Sequence, residues 1–362
     1  MVWCDRWPVF ALAPTTMKRR LLDWLACPAC GEAKLSLVID KAERRRSYVG
    51  HWEPGESVPG LADGTLEEIL EGRLGCPGCH ASYPIVGGIP RMLAPGSSAG
   101  PSTGHQWTEF ANAVPEYEKN FLDIANPLLP ADFTGKLVLD AGCGFGRHAL
   151  FAARYGAEVV AFDSSSEAVA SCVANLGGST RAHVVQADID RPPFRRGIFG
   201  LVFSYGVLHH VRDAKATFAT LGEMVEPGGR LSIWVYGPRQ GLTRVATGAL
   251  RGAASAMTPE QLHTFSRTVA AGLRLFSHTP YRFLSPVPPF GWVLSHLPVH
   301  DHHRWPFDVV VADIYDRLRV PVTGYFRGEE IERWYAEAGY ADIQVSRRVT
   351  NTESFRGLGT RR

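Results

Sequence analysis

The chain has 362 residues, of which 45% are hydrophobic and 20% charged, and its formal net charge at pH 7 is +2. This composition excludes a wholly disordered protein, because enough apolar material is present to build a core. The small net charge gives no global sign of a nucleic-acid-binding protein, so any basic surface must be local. No run approaches the roughly eighteen apolar residues of a membrane-spanning helix. The length is typical of one large and one small domain.

The first residues lack the order of charges that a secretory signal has. The apolar stretch 1–14 precedes the basic cluster Lys18-Arg19-Arg20, whereas a signal peptide carries its positive charges before the apolar run. We therefore expect a cytoplasmic protein. Met17 is itself a suitable start, and residues 1–16 are interpreted as a disordered extension or an incorrectly assigned start, since loosely held termini are common.

Four of the seven cysteines form two pairs, Cys27-Pro-Ala-Cys30 and Cys76-Pro-Gly-Cys79. Thiolates are soft ligands, and a two-residue gap in a tight turn lets both sulfurs of a pair reach one tetrahedral ion. The four cysteines Cys27, Cys30, Cys76 and Cys79 together predict a structural zinc site in a small ribbon domain at 17–95. The long segment between the pairs must carry its own structure, and residues 66–70 are predicted to form a short helix.

Two other interpretations of the cysteines stay open. Residues 76–80 (CPGCH) match the pattern of covalent haem attachment, although that reaction needs export and would leave the first pair unexplained. A redox disulfide is the second, although neither pair follows a thioredoxin-type strand. The remaining cysteines, Cys4, Cys143 and Cys172, are interpreted as unpaired thiols, because disulfide frameworks are rare in the cytoplasm.

The sequence around the cysteines resembles a known family. Residues 21–30 (LLDWLACPAC) and 83–93 (YPIVGGIPRML) resemble the small zinc-ribbon proteins that activate tRNA, rRNA and release-factor methyltransferases. The resemblance covers roughly residues 19–95 and implies a domain that stabilises a methyltransferase. In this sequence a candidate catalytic domain follows on the same chain, after a linker of small residues at 96–105.

From residue 106 onward, strands and helices alternate in the manner of a mostly parallel sheet. The predicted strand 136–140 leads into the glycine-rich turn 141–146, where amides at a helix start can face a ligand. The next two strands are followed by Asp163 and Asp188, and a carboxylate at such a position can accept both hydroxyls of a ribose. By spacing alone the turn would fit a dinucleotide equally well.

The complete series resembles the class I S-adenosylmethionine-dependent methyltransferases, over roughly residues 106–362. The segments VLDAGCGFG, AFD, QAD, SYGVLHH and EPGG occur in the family's order and spacing. The resemblance implies an α/β fold with a seven-stranded, mostly parallel Rossmann-like sheet and helices on both faces. The cofactor-binding residues that it implies are Asp140, Gly142, Cys143, Gly144, Gly146, Asp163, Ser164, Asp188, Ile189 and Ser204.

Within that set, the resemblance places Asp163 on the ribose, Asp188 near the adenine, and Asp140 beneath the loop or on the methionine amino group. An aspartate that ends a strand can equally be a helix cap. Asp190 is interpreted as a bystander to Asp188.

The sequence contains fewer signals for the part of the site that would bind the methyl acceptor. S-adenosylmethionine is already activated, so an enzyme must chiefly align the acceptor with the methyl group and exclude water, and a carboxylate acceptor needs no general base. Tyr205, His209 and His210 are the candidate catalytic residues, and the histidines can equally be packing residues. The turn 204–207 (SYGV) lacks the Asn/Asp-Pro-Pro-aromatic pattern of methyltransferases that act on planar nitrogens. SYGVLHH is more similar to enzymes that act on small molecules and lipids.

Residues 238–320 form an insertion far longer than an ordinary connection. A capping box at 258–261 precedes an apolar stripe at helical spacing. The stripe consists of Leu262, Phe265, Val269, Leu273 and Phe276. Residues 238–300 also contain six arginines, no lysine and a single acid, Glu260.

Two interpretations of this insertion are open. The stripe can simply pack on the domain, or the insertion can cap an acceptor pocket that favours an anionic or lipid-linked molecule and permits peripheral membrane contact. His300-Asp301-His302-His303 is expected to be a solvated loop rather than a metal site, since adjacent side chains rarely converge on one ion.

These patterns together predict methyl transfer to oxygen or carbon of a small, anionic or lipid-linked acceptor. Methylation of tRNA or rRNA is the alternative, because relatives of the ribbon serve translation. The ribbon is not a basic RNA platform, since residues 1–100 contain eleven basic and eleven acidic side chains. The alternative to an enzyme is a non-catalytic scaffold or activator that only binds the cofactor.

Overall fold

The computed structural model describes residues 16–46, 65–94, 116–176, 179, 181–238, 241–294, 303, 305–319, 324–348 and 354–362. Two β-sheets, of five and seven strands, organise this part of the chain. None of its helices is long and apolar enough to cross a membrane. Residues 1–15 of the expected extension, the linker 96–105, Cys4 and 300–302 of the histidine-rich loop lie outside the described residues.

The N-terminal sheet is antiparallel throughout. Its strands are β1 (Met17–Lys18), β2 (Ser36–Arg46), β3 (Thr65–Gly75), β4 (Ser82–Val86) and β5 (Ile89–Pro90). The helix predicted for residues 66–70 is wrong, because these residues belong to β3. Glu68 pairs with Glu43 and Ile69 with Met17, so partners on both sides take up the backbone groups of β3. Such long-range pairing overrides the local helical pattern.

The large sheet confirms the predicted seven-stranded, mostly parallel architecture. Its strands are β6 (Leu137–Ala141), β7 (Glu158–Asp163), β8 (Ala182–Gln186), β9 (Phe199–Tyr205), β10 (Val225–Tyr236), β11 (Tyr340–Arg347) and β12 (Ser354–Arg361). Their spatial order is β11-β12-β10-β9-β6-β7-β8. Strands β6 to β10 run parallel, and β12 is antiparallel to both of its neighbours.

Helices cover both faces of this sheet. The helices are α1 (Glu116–Ala125), α2 (Arg147–Arg154), α3 (Ser166–Asn175), α4 (Ala214–Met224), α5 (Gly241–Ala254), α6 (Pro259–Leu273), α7 (Thr279–Leu284), α8 (Phe290–Leu294), α9 (Phe307–Arg319) and α10 (Gly328–Glu337). Val138 and Leu139, adjacent on β6, belong to different core clusters, because successive strand residues point to opposite faces. Phe121 of α1 lies in the cluster of Val138, and Phe218 of α4 in that of Leu139.

The N-terminal domain is joined to the edge strand β8. Arg91 forms a parallel bridge to Gln186, and the Met92 amide donates to the Gln186 carbonyl at 2.8 Å. The buried Lys18 ammonium donates to the Ala182 carbonyl at 2.9 Å. Apolar residues of the ribbon share one core cluster with β8. This contact covers a strand edge that would otherwise present unpaired backbone groups.

The insertion has small cores of its own. Helix α6 packs on α9 through Ala270, Val310 and Val311, and Leu262 packs near Tyr315. The first four residues of the apolar stripe pack against other helices of the insertion itself, while Phe276 is 73% exposed. Both ends of the insertion meet at the end of β10, because the Phe326 amide donates to the Tyr236 carbonyl at 2.9 Å.

Candidate functional site

The carboxyl ends of the parallel strands lie at one edge of the large sheet, where open α/β sheets bind ligands. Loops from three strands meet there. The Gly144 amide donates to Asp163 Oδ2 at 3.1 Å, which joins the turn after β6 to the end of β7. The Ser204 hydroxyl of β9 donates to the Ala141 carbonyl at 2.9 Å. The Cys143 amide donates to the Phe162 carbonyl at 2.9 Å.

Backbone conformation explains the glycines of the turn. Gly142, Gly144 and Gly146 have φ angles of 81°, 53° and 82°, in the left-handed region that other residues rarely adopt. A β-carbon on Gly142 would lie 2.6 Å from Val207 Cγ2, and one on Gly146 would lie 2.6 Å from Cys172 Sγ. The turn therefore needs glycine for its conformation and for close packing, and it places Gly146 at the start of α2.

Asp163 ends β7 and is not the N-cap of the helix that follows it. Its Oδ1 accepts from the Ser165 amide at 2.9 Å, in addition to the Gly144 bond to Oδ2. The N-cap of α3 is Ser165, whose hydroxyl accepts from the Ala168 amide. Burial raises the pKa of Asp163, and hydrogen bonds from the backbone of Ser165, Gly144 and Ser164 work against that rise. Each carboxylate oxygen still has a lone pair, so Asp163 can accept two further hydroxyl donors.

Asp140 is a buried carboxylate with an unsatisfied oxygen. It is 1% exposed, and its Oδ2 has no hydrogen-bond partner among the described residues. Burial, and then the charge of Asp163, raise the pKa of Asp140 well above its ordinary value. A buried acceptor without a partner is costly and calls for an explanation. A cationic group of a ligand beside the glycine turn would supply one, and the methionine amino group of S-adenosylmethionine fits this requirement.

The predicted adenine-side residues follow β8, the neighbour of β7. Asp188 is partly exposed and accepts from the Asp190 amide at 3.0 Å. Ile189 is partly buried against the core. The Asp190 carboxylate accepts from the Thr217 hydroxyl at 2.6 Å, which ties it to α4 and accords with its interpretation as a bystander. The Ser164 carbonyl accepts from Gln186 Nε2 at 2.9 Å, so this predicted residue contributes backbone to the same edge.

The three candidate catalytic residues differ in accessibility. Tyr205 is buried, and its hydroxyl lies 2.9 Å from the Ser232 hydroxyl, while burial raises its pKa. His209 is fully buried, stacks on Tyr236 at 3.8 Å between centroids, and accepts from the Tyr236 amide at Nδ1. His210 is partly exposed, with its ring 4.2 Å from that of His209. The catalytic role of the three stays a prediction.

The four cysteines of the two pairs converge. Their sulfurs all lie within 4.8 Å of one another. Cys27 Sγ is 3.6 Å from Cys79 Sγ, and Cys30 Sγ is 3.5 Å from Cys76 Sγ. A tetrahedral zinc with bonds of about 2.3 Å has sulfur–sulfur edges near 3.8 Å, whereas a disulfide needs about 2.05 Å. The donor set therefore fits a zinc ion, and none of the four cysteines is in a disulfide.

The environment of Cys27 favours a thiolate. Burial alone would raise its pKa, but hydrogen bonds from Tyr83 and from backbone amides lower it to about 7. The Tyr83 hydroxyl lies 3.2 Å from the sulfur. Outside the cluster, Cys143 and Cys172 are buried free thiols, as predicted.

The sequence did not indicate the residues that hold the ribbon against the sheet. Arg20 pairs with Glu158, and Glu158 Oε1 lies 2.9 Å from His183 Nε2. His183 is fully buried, and Trp24 of the ribbon meets its ring edge-on at 5.0 Å. Burial lowers the pKa of His183 to about 4, against the opposing effect of Glu158. All five residues of β8 are buried, so no alternation marks His183 in the sequence, and its partners are more than twenty residues away along the chain.

Two family models match this chain. Residues 139–233 match the model described as a methyltransferase domain, and residues 18–88 match the Trm112p-like protein model. The first match spans the glycine turn, Asp163 and Asp188. The second spans all four cysteines of the cluster.

Three curated relatives illustrate the range of similar proteins. The malonyl-[acyl-carrier protein] O-methyltransferase of a Methylovorus species is 34% identical over 28% of this chain and 37% of its own length. The tRNA U34 carboxymethyltransferase of Klebsiella pneumoniae is 35% identical over 28% of this chain and 31% of its own length. The ubiquinone biosynthesis O-methyltransferase of Xanthomonas oryzae pv. oryzae is 36% identical over 28% of this chain and 43% of its own length. The chain thus spans less than half the length of each.

Proposed function

We propose that this chain, in which a Trm112p-like domain is fused to a methyltransferase domain, is an S-adenosylmethionine-dependent methyltransferase. The observation that carries the proposal is the meeting of the glycine turn with Asp163, beside the unsatisfied oxygen of Asp140. When bound, the cofactor supplies an electrophilic methyl group on its sulfonium.

The residues of the chain bind and orient that cofactor. Asp163 accepts the two ribose hydroxyls, and Asp188 lies at the adenine side. Asp140 compensates the charge of the methionine amino group, while the left-handed glycines allow the backbone of the turn to approach closely. Positioning and exclusion of water then supply most of the catalysis, since the methyl group is already activated.

We infer that Cys27, Cys30, Cys76 and Cys79 hold a structural zinc ion. The closed set of four sulfurs leaves no position for a substrate, which is the pattern of structural rather than catalytic sites. The ion holds the two turns together and thereby stabilises the ribbon that covers the edge of β8. The ribbon thus acts on the methyltransferase domain from within the same chain.

The acceptor is proposed to be a small-molecule, anionic or lipid-linked compound that is methylated on oxygen or carbon. Two of the three relatives are named as O-methyltransferases. The turn Ser204–Val207 lacks the Pro-Pro pattern suited to planar nitrogens. The chain on either side of the insertion meets at the carboxyl end of β10, through the bond from the Phe326 amide to the Tyr236 carbonyl, and this supports a capping role for the insertion. His210, partly exposed at that edge, is the proposed contact to the acceptor, with Tyr205 and His209 behind it.

RNA methylation is the second candidate. The Trm112p-like match and the tRNA-modifying relative favour it. A scaffold that binds the cofactor without turnover is less well supported, because the glycine turn and all three aspartates of the cofactor edge are present.

One experiment separates these functions. The purified chain is incubated with methyl-labelled S-adenosylmethionine and a cell extract, and the products are divided into RNA and organic-extractable fractions. We expect label in the organic phase, whereas label removed by ribonuclease would establish the RNA function. At a subsaturating cofactor concentration, Asp163→Ala should strongly reduce labelling and Asp190→Ala should not. The absence of S-adenosylhomocysteine with every extract fraction, despite cofactor binding, would establish the scaffold.

A further inference from the structure

An exposed apolar surface covers one side of the insertion. It comprises Leu275, Phe276, Phe283, Leu284, Val287, Phe290, Trp292 and Val293, and is called here the 275–293 surface. Phe276 and Trp292 are each 73% exposed. In the rest of the described chain, exposed large apolar residues are scattered singly at Val38, Val86, Leu129 and Tyr325. A cluster of this size is characteristic of an interaction site.

These side chains lie on three consecutive helical elements and the turn between the last two. Helix α7 packs against both the π-helical turn Arg274–His278 and α8. The cores of the insertion lie elsewhere, between α5, α6 and α9. The side chains of the 275–293 surface are therefore exposed, at 42% to 73%, rather than part of these cores.

The charge beside this surface is positive. Residues 261–300 contain three arginines and no acidic residue. Arg267 Nη1 lies 3.5 Å from Asp308 Oδ1, so this carboxylate partly compensates the charge of Arg267. Arg274 instead donates to the neutral carbonyl of Trp305 at 3.0 Å, and the Arg282 guanidinium lies 5.9 Å from the Phe283 ring. Among the described residues, no acidic side chain pairs with Arg274 or Arg282.

A cavity of about 570 Å³ adjoins the surface, and polar donors line it. Its lining includes Arg274, Arg282, Ser285, His303 and Trp305. Two guanidinium groups and a hydroxyl are the donors that bind phosphate oxygens well. Phosphate-binding donors beside exposed aromatic groups match the two layers of a phospholipid surface, where headgroups lie above acyl chains.

We propose that the 275–293 surface docks on an anionic phospholipid bilayer. Phe276, Phe283 and Trp292 enter the boundary between headgroups and acyl chains, and Arg274 and Arg282 bind lipid phosphates. A second copy of the chain fits less well, because the described residues of the surface and its cavity include arginines and no acidic side chain, so self-pairing would bring like charges together. The proposal is independent of methyl transfer and can be tested without a known acceptor.

The test is co-sedimentation of the full chain with vesicles. Vesicles of phosphatidylcholine alone are compared with vesicles that contain about a third phosphatidylglycerol, at low and high salt. We expect binding to the anionic vesicles only, weakened by salt because charge contributes. Phe276→Ser combined with Trp292→Ser should weaken it at least about tenfold, and Arg282→Gln about fivefold.

Two matched variants control for loss of an exposed side chain elsewhere. Leu129→Ser removes a 63% exposed leucine, and Arg196→Gln removes an arginine whose side chain is 75% exposed, both outside the insertion. Both should bind vesicles like the parent chain. Equal binding to neutral and anionic vesicles, or unchanged binding by the Phe276/Trp292 variant, would overturn the proposal. A dimer that dissociates in that variant, without vesicle binding, would assign the surface to a second copy instead.

Discussion

Replacement of Gly142 by alanine tests the packing on which the cofactor turn depends. Two costs add at this position. The φ angle of 81° places an alanine in the left-handed region, at about 1 kcal/mol. The new β-carbon would also lie 2.6 Å and 2.8 Å from the two methyl groups of Val207, and 3.2 Å from its Cβ. Rotation of Val207 cannot clear all three contacts, so overpacking adds about 2 kcal/mol.

Gly339 provides the matched control for this variant. It has a φ angle of 78°, and a β-carbon there would meet nothing within 4 Å. Gly339→Ala should therefore cost about 1 kcal/mol, from backbone conformation alone. Gly142→Ala should cost about 3 kcal/mol, the sum of the two effects.

Val207→Ala should recover most of the steric part when it is combined with Gly142→Ala. The coupling free energy between the two changes is expected to be about 2 kcal/mol, measured as a double-mutant cycle by urea denaturation. A cost for Gly142→Ala equal to that for Gly339→Ala, with no coupling to Val207, would refute the close approach of the turn to β9. Titration with S-adenosylmethionine should show weaker binding by Gly142→Ala than by Gly339→Ala, because only the first change lies in the turn.

Three further predictions concern the two domains. Metal analysis should find about one zinc per chain. The double variant Cys27→Ser/Cys76→Ser should lose this zinc and unfold its ribbon at a lower temperature. A zinc-free chain with an unchanged unfolding temperature would contradict the structural role. Asp163→Ala should weaken S-adenosylmethionine affinity at least about tenfold, since charge-assisted hydrogen bonds to the ribose are lost, with little effect on unfolding; unchanged affinity would remove Asp163 from the site. The folded-state pKa of His183 is lowered to about 4, from an unfolded value near 6.5. The free energy of unfolding should therefore be highest above pH 6.5 and should fall as the pH drops from there towards 4. The total loss from this residue should be up to about 3 kcal/mol. His183→Gln should flatten this pH dependence in denaturation experiments, and parallel curves for the two proteins would show that His183 is not its source.

Local patterns in the sequence were enough to predict that the glycine turn meets Asp163 and that the four cysteines form one cluster. The turn 141–146 and the aspartates that follow β7 and β8 are placed by strand ends, which hydrophobic runs and glycines mark directly. The paired cysteines follow from spacing alone, because each pair closes its own tight turn. Parallel strands then bring their carboxyl ends to one edge, so convergence required no knowledge of distant contacts.

Tertiary structure decided what depends on partners far away in sequence. Residues 66–70 form a strand rather than a helix because β1 and β2 pair with them on either side. The attachment of the ribbon to β8, the burial of His183 against Trp24 and the isolation of Asp140 Oδ2 each require residues from separate elements. Phe276 continues the apolar stripe of α6 yet is exposed, because α9 covers only the preceding turns. Spacing along the chain specifies which side chains share a face, and only packing determines whether that face is covered.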